Sequence, residues 1–330
     1  MYEVIRKTTI IVACLMLSKM LHMNVTVYIV LFGVVAATTS YSRHVWTIIK
    51  RFFPSIFAAL GAVLLNQMFA SHPFIIWTCT ICYFDHVRRH VDSSLKIRIA
   101  TLPLFMIIFI NTYATSSHYI LLIPAISRDL VVSLLVVGIV TSFINHLMPI
   151  RAKLVMPPIT IMPVIGIDRL KMLLLVGGGL AFIMINQVTT AVFCLVPLIT
   201  SAMQPSYDMM KAHSRNKMLS QIGGCSIALV ISMLFAGSEV NVVTYGCAST
   251  VLVFTILLWC NHFNIEERAI HSDALMGCLI PYQLYIGQFG NNFGINSIML
   301  RGFELVVTLL IIYTISYWLS FKVTKNQINA

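Results

Sequence analysis

The chain has 330 residues, of which 58% are hydrophobic and only 10% are charged. No soluble core needs that much apolar surface, so the composition excludes an ordinary soluble domain and indicates a lipid bilayer as the main solvent. The formal net charge of +11 is carried by basic residues that lie between apolar segments. That distribution is typical of cytoplasmic loops and argues against a nucleic-acid partner.

Six apolar segments in the first half predict six membrane-spanning helices. The fourth is the shortest, because Phe74–Phe84 gives only eleven apolar residues after Pro73. At about 1.5 Å per residue this covers half a bilayer, unless the helix includes neighbours at both ends. The six predicted spans lie near Thr8–His22, Val25–Ser40, Phe52–Ala70, Ser71–Phe84, Ile97–Tyr113 and Asp129–Met148.

Six further segments in the second half predict the same number of spans. A polar stretch with Pro157-Pro158 separates the halves, which predicts a first repeat over 1–156, a linker over 157–168 and a second repeat over 169–330. The six spans of the second half lie near Leu170–Asn186, Val188–Met203, Leu219–Gly237, Val240–Cys260, Ala274–Phe289 and Phe303–Phe321.

The basic residues predict the orientation of these spans. With six spans per half and both termini in the cytoplasm, nineteen of the 22 Lys and Arg residues fall on the inner side, as the positive-inside rule requires. If the fourth span did not cross, four of them would move outside, so we expect it to cross. The three exceptions are Lys19, Arg128 and Arg301.

The two halves also resemble each other in sequence. Asp129 begins the run DLVVSLLVVGIVTSF, and Glu304, 175 positions later, begins ELVVTLLIIYTISYW. Five of the fifteen paired positions are identical and seven are close substitutions. Arg51 and Arg215 pair at a spacing of 164. An even number of spans per half makes the repeats parallel, so the predicted fold is an all-α polytopic membrane protein of about 12 helices in two parallel six-helix repeats.

The strongest candidate site consists of two arginine–acid pairs at equivalent positions of the repeats, Arg128 with Asp129 and Arg301 with Glu304. An ionisable side chain at the centre of a bilayer costs about 2.5–3.5 kcal/mol, and less near the interface. The guanidinium groups therefore need partners. One interpretation is that they attract an anionic substrate, whose carboxylate fits their planar forks. The other is that each acid neutralises its arginine and fixes the start of a helix.

Neighbouring polar residues add candidates for substrate binding. Tyr113 ends the fifth predicted span, and Gln204 ends the second span of the second half, beyond Pro197, which would free a backbone carbonyl. Both residues fit the lining of a cavity. A position on the outer surface explains Tyr113 equally well, and a kinked helix whose free carbonyl is satisfied by neighbouring helices explains the segment before Gln204 equally well. Further hydrogen-bonding candidates near the arginines are Tyr119, Gln288, Asn291 and Asn292.

Other motifs indicate packing rather than chemistry. Gly223-Gly224 lies in an apolar segment, where small residues allow helices to approach closely. His86 and His90 share a helical face beside Asp85 but lie in a basic loop, so we expect no metal site. The sequence has neither a phosphate-binding loop for ATP nor a convincing nucleophile–base pair. We expect no cofactor and no enzymatic activity.

Two copies of a six-span block resemble the fusaric acid resistance family of bacterial inner-membrane proteins. In the first copy the shared elements are Arg6, Arg43…Arg51, Ala58-Ala59-Leu60-Gly61 and Arg128-Asp129…Met148-Pro149, and in the second they are Arg169, Lys211…Arg215, Gly223-Gly224 and Arg301…Glu304. Fuller exporters of this family carry a large cytoplasmic domain, which we do not expect here. The resemblance implies efflux of small organic, often aromatic, acids across the inner membrane, together with a periplasmic adaptor of the membrane-fusion type.

We therefore predict a multi-pass transporter or efflux subunit for small organic anions. Two alternatives stay open. One is a membrane scaffold that holds a periplasmic adaptor without moving substrate, and the other is an intramembrane enzyme that modifies lipids. The sequence also leaves open whether the chain forms a homo-oligomer.

Overall fold

A computed structural model describes most of the chain. The described residues are 1–23, 25–39, 42–115, 123–150, 164–187, 192, 194–204, 206–235, 241–261, 265–285, 298–308, 310, 311, 313, 314 and 317. All secondary structure of any length in these ranges is helical, so the predicted all-α class is confirmed.

Most of the described residues belong to helices whose positions follow the apolar segments. In chain order these are α1 Tyr2–Met20, α2 Val27–Thr39, α3 Val45–Met68, α4 Pro73–His90, α5 Ser94–Thr115, α6 Ile123–Leu147, α7 Gly166–Met172, α8 Gly178–Asn186, α9 Leu195–Ala202, α10 Tyr207–Phe235, α11 Val242–Asn261 and α12 Ile265–Tyr285. Residues 298–308 are also helical.

Five described helices are long and apolar enough to cross a membrane, by length and composition. They are Val45–Met68, Ser94–Ala114, Ala125–Leu147, Asp208–Phe235 and Val242–Asn261. The total of twelve spans stays a prediction. The fourth predicted span lies in α4, whose 18 residues continue past the apolar run into the basic turn that ends at His90.

Helices α7 and α8 are joined without a break by a π-helical turn, Leu173–Gly177. A π turn carries an extra residue and removes a backbone carbonyl from the regular bonding pattern. The carbonyl oxygen of Gly177, the last residue of this turn, accepts a hydrogen bond of 3.0 Å from the indole nitrogen of Trp77 in α4. This bond ties the irregular turn to a neighbouring helix.

The contacts divide the chain into two compact units. Unit 1 consists of Met1–Pro54, Pro124–Val155 and Leu219–Gly302, and unit 2 of Ser55–Ile123, Met156–Met218 and Phe303–Ala330. Each unit therefore takes segments from both predicted repeats. The repeat boundaries themselves are a statement about sequence and stay a prediction.

Corresponding helices make corresponding contacts in the two units. In the predicted repeat, α1 corresponds to the continuous helix 166–186, α2 to α9, α4 to α11 and α5 to α12. In unit 1, α1 packs on α2 and α11, and α12 packs on α2 and α11. In unit 2, helix 166–186 packs on α9 and α4, and α5 packs on α9 and α4. The unit borders at Pro54 and Met218 are 164 positions apart, the spacing that relates Arg51 to Arg215.

Within unit 1, α10 and α12 are in backbone contact at Gly224. A Cβ atom on Gly224 would lie 2.6 Å from the carbonyl oxygen of Ala274 and 2.7 Å from the backbone nitrogen of Cys278. Glycine is needed here because any side chain would push the two helices apart. Gly223 has open space around the same position, so only the second glycine of the pair serves packing.

Candidate functional site

Arg128 and Asp129, in the second turn of α6, form an ion pair. The Nε and Nη2 atoms of Arg128 lie 3.1 and 2.9 Å from Oδ1 of Asp129. The side chain of Asp129 is 2% exposed, whereas that of Arg128 is 62% exposed. The second carboxylate oxygen, Oδ2, accepts a hydrogen bond of 3.0 Å from the backbone N–H of Val25. Asp129 thus fixes the chain that enters α2, which favours the structural interpretation for this acid.

Arg301 and Glu304 lie one turn apart in helix 298–308. Arg301 belongs to unit 1 and is 1% exposed, which makes it one of the largest fully buried side chains. Glu304 belongs to unit 2 and is partly exposed. A buried guanidinium is the rarer and costlier arrangement, so Arg301 is the stronger functional candidate of the two arginines that the predicted repeats pair.

Tyr113 and Gln204 lie in unit 2 and have separate surroundings. The ring of Tyr113 stacks on that of Phe109 one turn earlier in α5, with centroids 4.4 Å apart. The side-chain amide of Gln204 donates to the carbonyl oxygen of Thr200 at 3.1 Å. Its own backbone carbonyl accepts a hydrogen bond of 2.8 Å from Nζ of Lys171.

The structure therefore joins Arg128 directly with Asp129, as predicted. Of the six predicted substrate-binding residues, these two and Arg301 lie in unit 1, and the others lie in unit 2. The further candidates Tyr119, Gln288, Asn291 and Asn292 lie outside the described residues.

Sequence reasoning missed a buried polar network that joins α1, α11 and α12 in unit 1. The side-chain amide of Gln283 donates to Oγ of Ser18, and its carbonyl oxygen accepts from the hydroxyl of Tyr245. Tyr282 stacks on Tyr245 with ring centroids 5.2 Å apart, and its hydroxyl lies 2.9 Å from Oγ of Ser249. We call these five residues the Gln283 network. All five are buried.

Lys19 lies at the edge of the Gln283 network. Its Nζ is 3.3 Å from the backbone carbonyl oxygen of Gln283 and 5.7 Å from the centroid of the Tyr245 ring. A cation over an aromatic face is electrostatically favourable. The only sequence signal for this position was that Lys19 violates the positive-inside rule. The sequence could not indicate Tyr245 and Gln283 as its partners, because they lie more than 220 positions away.

Charged residues in unit 2 form a second unforeseen group where α4 ends and α7 begins. Nε and Nη2 of Arg169 each lie 2.7 Å from one oxygen of Asp85, which also accepts from Arg89. These hydrogen bonds, that from Arg169 foremost, lower the pKa of the Asp85 carboxyl to about 2. Burial lowers the pKa of Arg88, and the negative charge of Asp168 partly opposes that effect.

The rings of His86 and His90 lie with their centroids 4.7 Å apart. Within the described part of the chain, no group of three or more His, Cys, Asp or Glu side chains is arranged to hold a metal ion.

The geometry defines an all-α protein with several helices that could cross a membrane. Comparison of the chain with known protein families, with curated proteins and with solved structures finds no match. The resemblance to the fusaric acid resistance family therefore stays a prediction.

Proposed function

We propose that the chain is an integral membrane transporter that exports small organic acids, aromatic ones among them, across a bacterial inner membrane. The observation that carries the proposal is the correspondence of the two units, in which equivalent helices make equivalent contacts. Internal repeats in polytopic membrane proteins are a frequent feature of transporters. A duplicated block whose copies exchange segments explains why each unit contains helices of both repeats.

Contacts within unit 1 support the predicted alternation of spans. Nη1 of Arg6 lies 2.5 Å from Oδ1 of Asn145, whose amide donates to the carbonyl oxygen of Ser42 at 2.9 Å. The sequence assigns all three to the inner ends of their spans. Lys19 and Gln283, both assigned to outer ends, are in contact as well. Helix ends assigned to one face therefore meet each other, as spans of alternating direction require.

Arg301 is the residue that we propose binds the carboxylate of the substrate. Its guanidinium is removed from solvent, so a carboxylate that reaches it forms a charge-assisted hydrogen bond in a medium of low polarity. Arg128 is exposed and its acid partner also holds the backbone of Val25, so this pair serves mainly to fix α6. The resemblance to the fusaric acid resistance family supports aromatic acids as substrates and a periplasmic adaptor as partner.

Two transport measurements test the proposal: efflux of labelled benzoate and 4-hydroxybenzoate from whole cells, and uptake of the same acids into inverted membrane vesicles. We expect R301Q to lower the rate by about tenfold, because a hydrogen bond to a charged group contributes roughly 1.5–3 kcal/mol. R301K retains the charge and should recover part of the rate. K96Q is the matched control, because Lys96 is 51% exposed and pairs only locally with Asp92.

Two results would contradict the proposal in different ways. If the R301Q variant is expressed normally and exports every tested anion at the unmodified rate, Arg301 is not part of the site. Absence of substrate-dependent flux in the unmodified protein, combined with co-purification of an adaptor, would favour the scaffold instead.

A further inference from the structure

Six charged side chains converge in unit 2 at the end of α4 and the beginning of α7. Four are basic and two are acidic, which gives the group a formal surplus of two positive charges. We call this group the Arg88 cluster, and it consists of Asp85, Arg88, Arg89, Asp168, Arg169 and Lys171. The sequence places both helix ends on the cytoplasmic face.

The two carboxylates of the Arg88 cluster are already engaged. Asp85 accepts hydrogen bonds from Arg169 at 2.7 Å on each oxygen and from Arg89 at 2.6 and 2.9 Å. Asp168 accepts from Nζ of Lys171 at 3.3 Å and from the backbone N–H of Ile165 at 3.4 Å. Neither carboxylate forms a hydrogen-bonded pair with Arg88 among the described residues.

Arg88 is the unusual member, because it is charged and only 2% exposed. Its Nη1 donates to the carbonyl oxygen of Val91 at 2.7 Å. Its Nε is buried and has no hydrogen-bond partner among the residues that the structure describes. A buried cation whose donors are not all satisfied is destabilising, and a bound anion would relieve that cost.

Lys171 supplies a second buried cation, with 7% exposure. It donates to the backbone carbonyl oxygen of Gln204, where α9 ends, at 2.8 Å. Helices α4 and α7, which carry Arg88 and Lys171, pack against each other, and Lys171 also donates to Asp168 of its own helix. The cluster therefore includes two buried cations on adjoining helices, and a surplus of positive charge in a desolvated site favours anion binding.

A purely structural explanation accounts for only part of the cluster. Basic residues near the C-terminus of a helix interact favourably with its exposed carbonyl groups. That is sufficient for Arg89, which is 56% exposed at the end of α4. It does not require Arg88 to be buried, nor a second buried cation from another helix beside it.

We propose that the Arg88 cluster binds the carboxylate of a small organic acid on the cytoplasmic side, with Arg88 and Lys171 as its cationic ligands. The site would load substrate for export, and in that role it rests on the proposed function. Binding itself requires no flux, so it can be measured separately from transport. The guanidinium of Arg88 suits a carboxylate because its donors match two oxygens in one plane.

Equilibrium binding of benzoate to the full chain, reconstituted in phosphatidylcholine nanodiscs at low salt, tests the proposal. We expect saturable binding that weakens about tenfold or more in R88Q and in K171Q, since each loses a charged hydrogen-bond donor. R88K should bind better than R88Q. K96Q, which removes an exposed lysine of the neighbouring helix, should bind as the unmodified protein does.

Two outcomes would overturn the proposed site. Either the unmodified protein shows no saturable benzoate binding, or both R88Q and K171Q bind benzoate as the unmodified protein does. If R88Q does not fold, K171Q alone decides. A parallel series in nanodiscs that contain phosphatidylglycerol distinguishes a site for a lipid phosphate from a site for a soluble carboxylate. A lipid site would bind no benzoate and would show a preference for the anionic lipid that depends on Arg88. Export that persists without this binding would remove the site but leave the proposed function intact.

Discussion

Arg169 of α7 and Asp85 of α4 are joined by two parallel hydrogen bonds of 2.7 Å, although they are 84 positions apart in sequence. The planar fork of an arginine gives such pairs a fixed geometry. This pair ties the start of helix 166–186 to the end of α4, and Arg89 adds a second cation to the same carboxylate.

The Asp85–Arg169 pair makes the stability of the protein depend on pH. The folded state lowers the pKa of Asp85 from 3.8 to about 2, mainly through the hydrogen bond from Arg169. The stabilisation is fully present above about pH 4, and it is lost as the pH falls toward about 2. We expect D85N to unfold a few degrees below the unmodified protein at neutral pH, and this difference to shrink as the pH falls through that range.

Thermal unfolding in detergent at a series of pH values checks this expectation. The double variant D85N/R169Q should be little less stable than either single variant, because both remove the same interaction. A difference between D85N and the unmodified protein that stayed constant down to pH 2 would contradict the assignment.

Asn145→Leu should destabilise the inner end of unit 1. Arg6 is fully buried, and the substitution removes the oxygen that lies 2.5 Å from its Nη1. Loss of a hydrogen bond to a buried charge costs about 2 kcal/mol, because the guanidinium stays desolvated. His146→Leu, at the exposed neighbouring position, is the matched control and should change the free energy of unfolding by less than about 0.5 kcal/mol. Reversible unfolding in mixed micelles measures both, and equal effects would argue against the Arg6–Asn145 bond.

Gly224→Ala and Gly223→Ala should have opposite effects. The new methyl group of G224A would lie 2.6 Å from the carbonyl oxygen of Ala274, so α10 and α12 must separate. Overpacking of this kind costs about 1–3 kcal/mol. At Gly223 nothing lies within 4 Å of the added Cβ, and alanine favours a helix over glycine by about 1 kcal/mol. Unfolding free energies that fell equally in both variants would show that the close approach is absent.

Gln283→Leu should loosen the packing of α12 against α1 and α11. The substitution removes the acceptor of the Tyr245 hydroxyl and the donor to Ser18. Interhelical hydrogen bonds in membrane proteins contribute about 0.6–1.7 kcal/mol each, so we expect a loss of roughly 1–3 kcal/mol. Thr250→Ala is the control, because the exposed Thr250 hydroxyl bonds only to Gly246 of its own helix. An equal loss in T250A would mean that the Gln283 network contributes nothing particular.

The sequence predicted the helices better than it predicted their ends. The ninth predicted span begins at Leu219, whereas α10 begins at Tyr207, twelve residues earlier. The additional turns contain Lys211 and Arg215, which form helix readily, and Asp208, which is favourable in a first helical turn, but none of the three is apolar. Hydropathy marks where a helix is apolar, and it gives no signal where a helix continues into polar surroundings.

The sequence likewise predicted only part of the candidate site. Pairing of Arg128 with Asp129 follows from their adjacency, and the sequence alone proposed it. It could not show that Asp129 also holds the backbone of Val25, 104 positions away, or that Lys171 contacts Gln204. Such contacts depend on which helices pack together, and hydropathy treats all apolar helices alike.

The amino-acid sequence by itself determined that this protein is all-α, where its apolar segments lie and which residues carry charge into them. Those properties are local, because they follow from side-chain polarity and helical periodicity. Only the tertiary structure decided that segments of both predicted repeats combine in each unit and that Arg88, Lys171 and Arg301 become buried. Burial of a charge is decided by what packs around it, and that depends on the three-dimensional arrangement of helices distant in sequence.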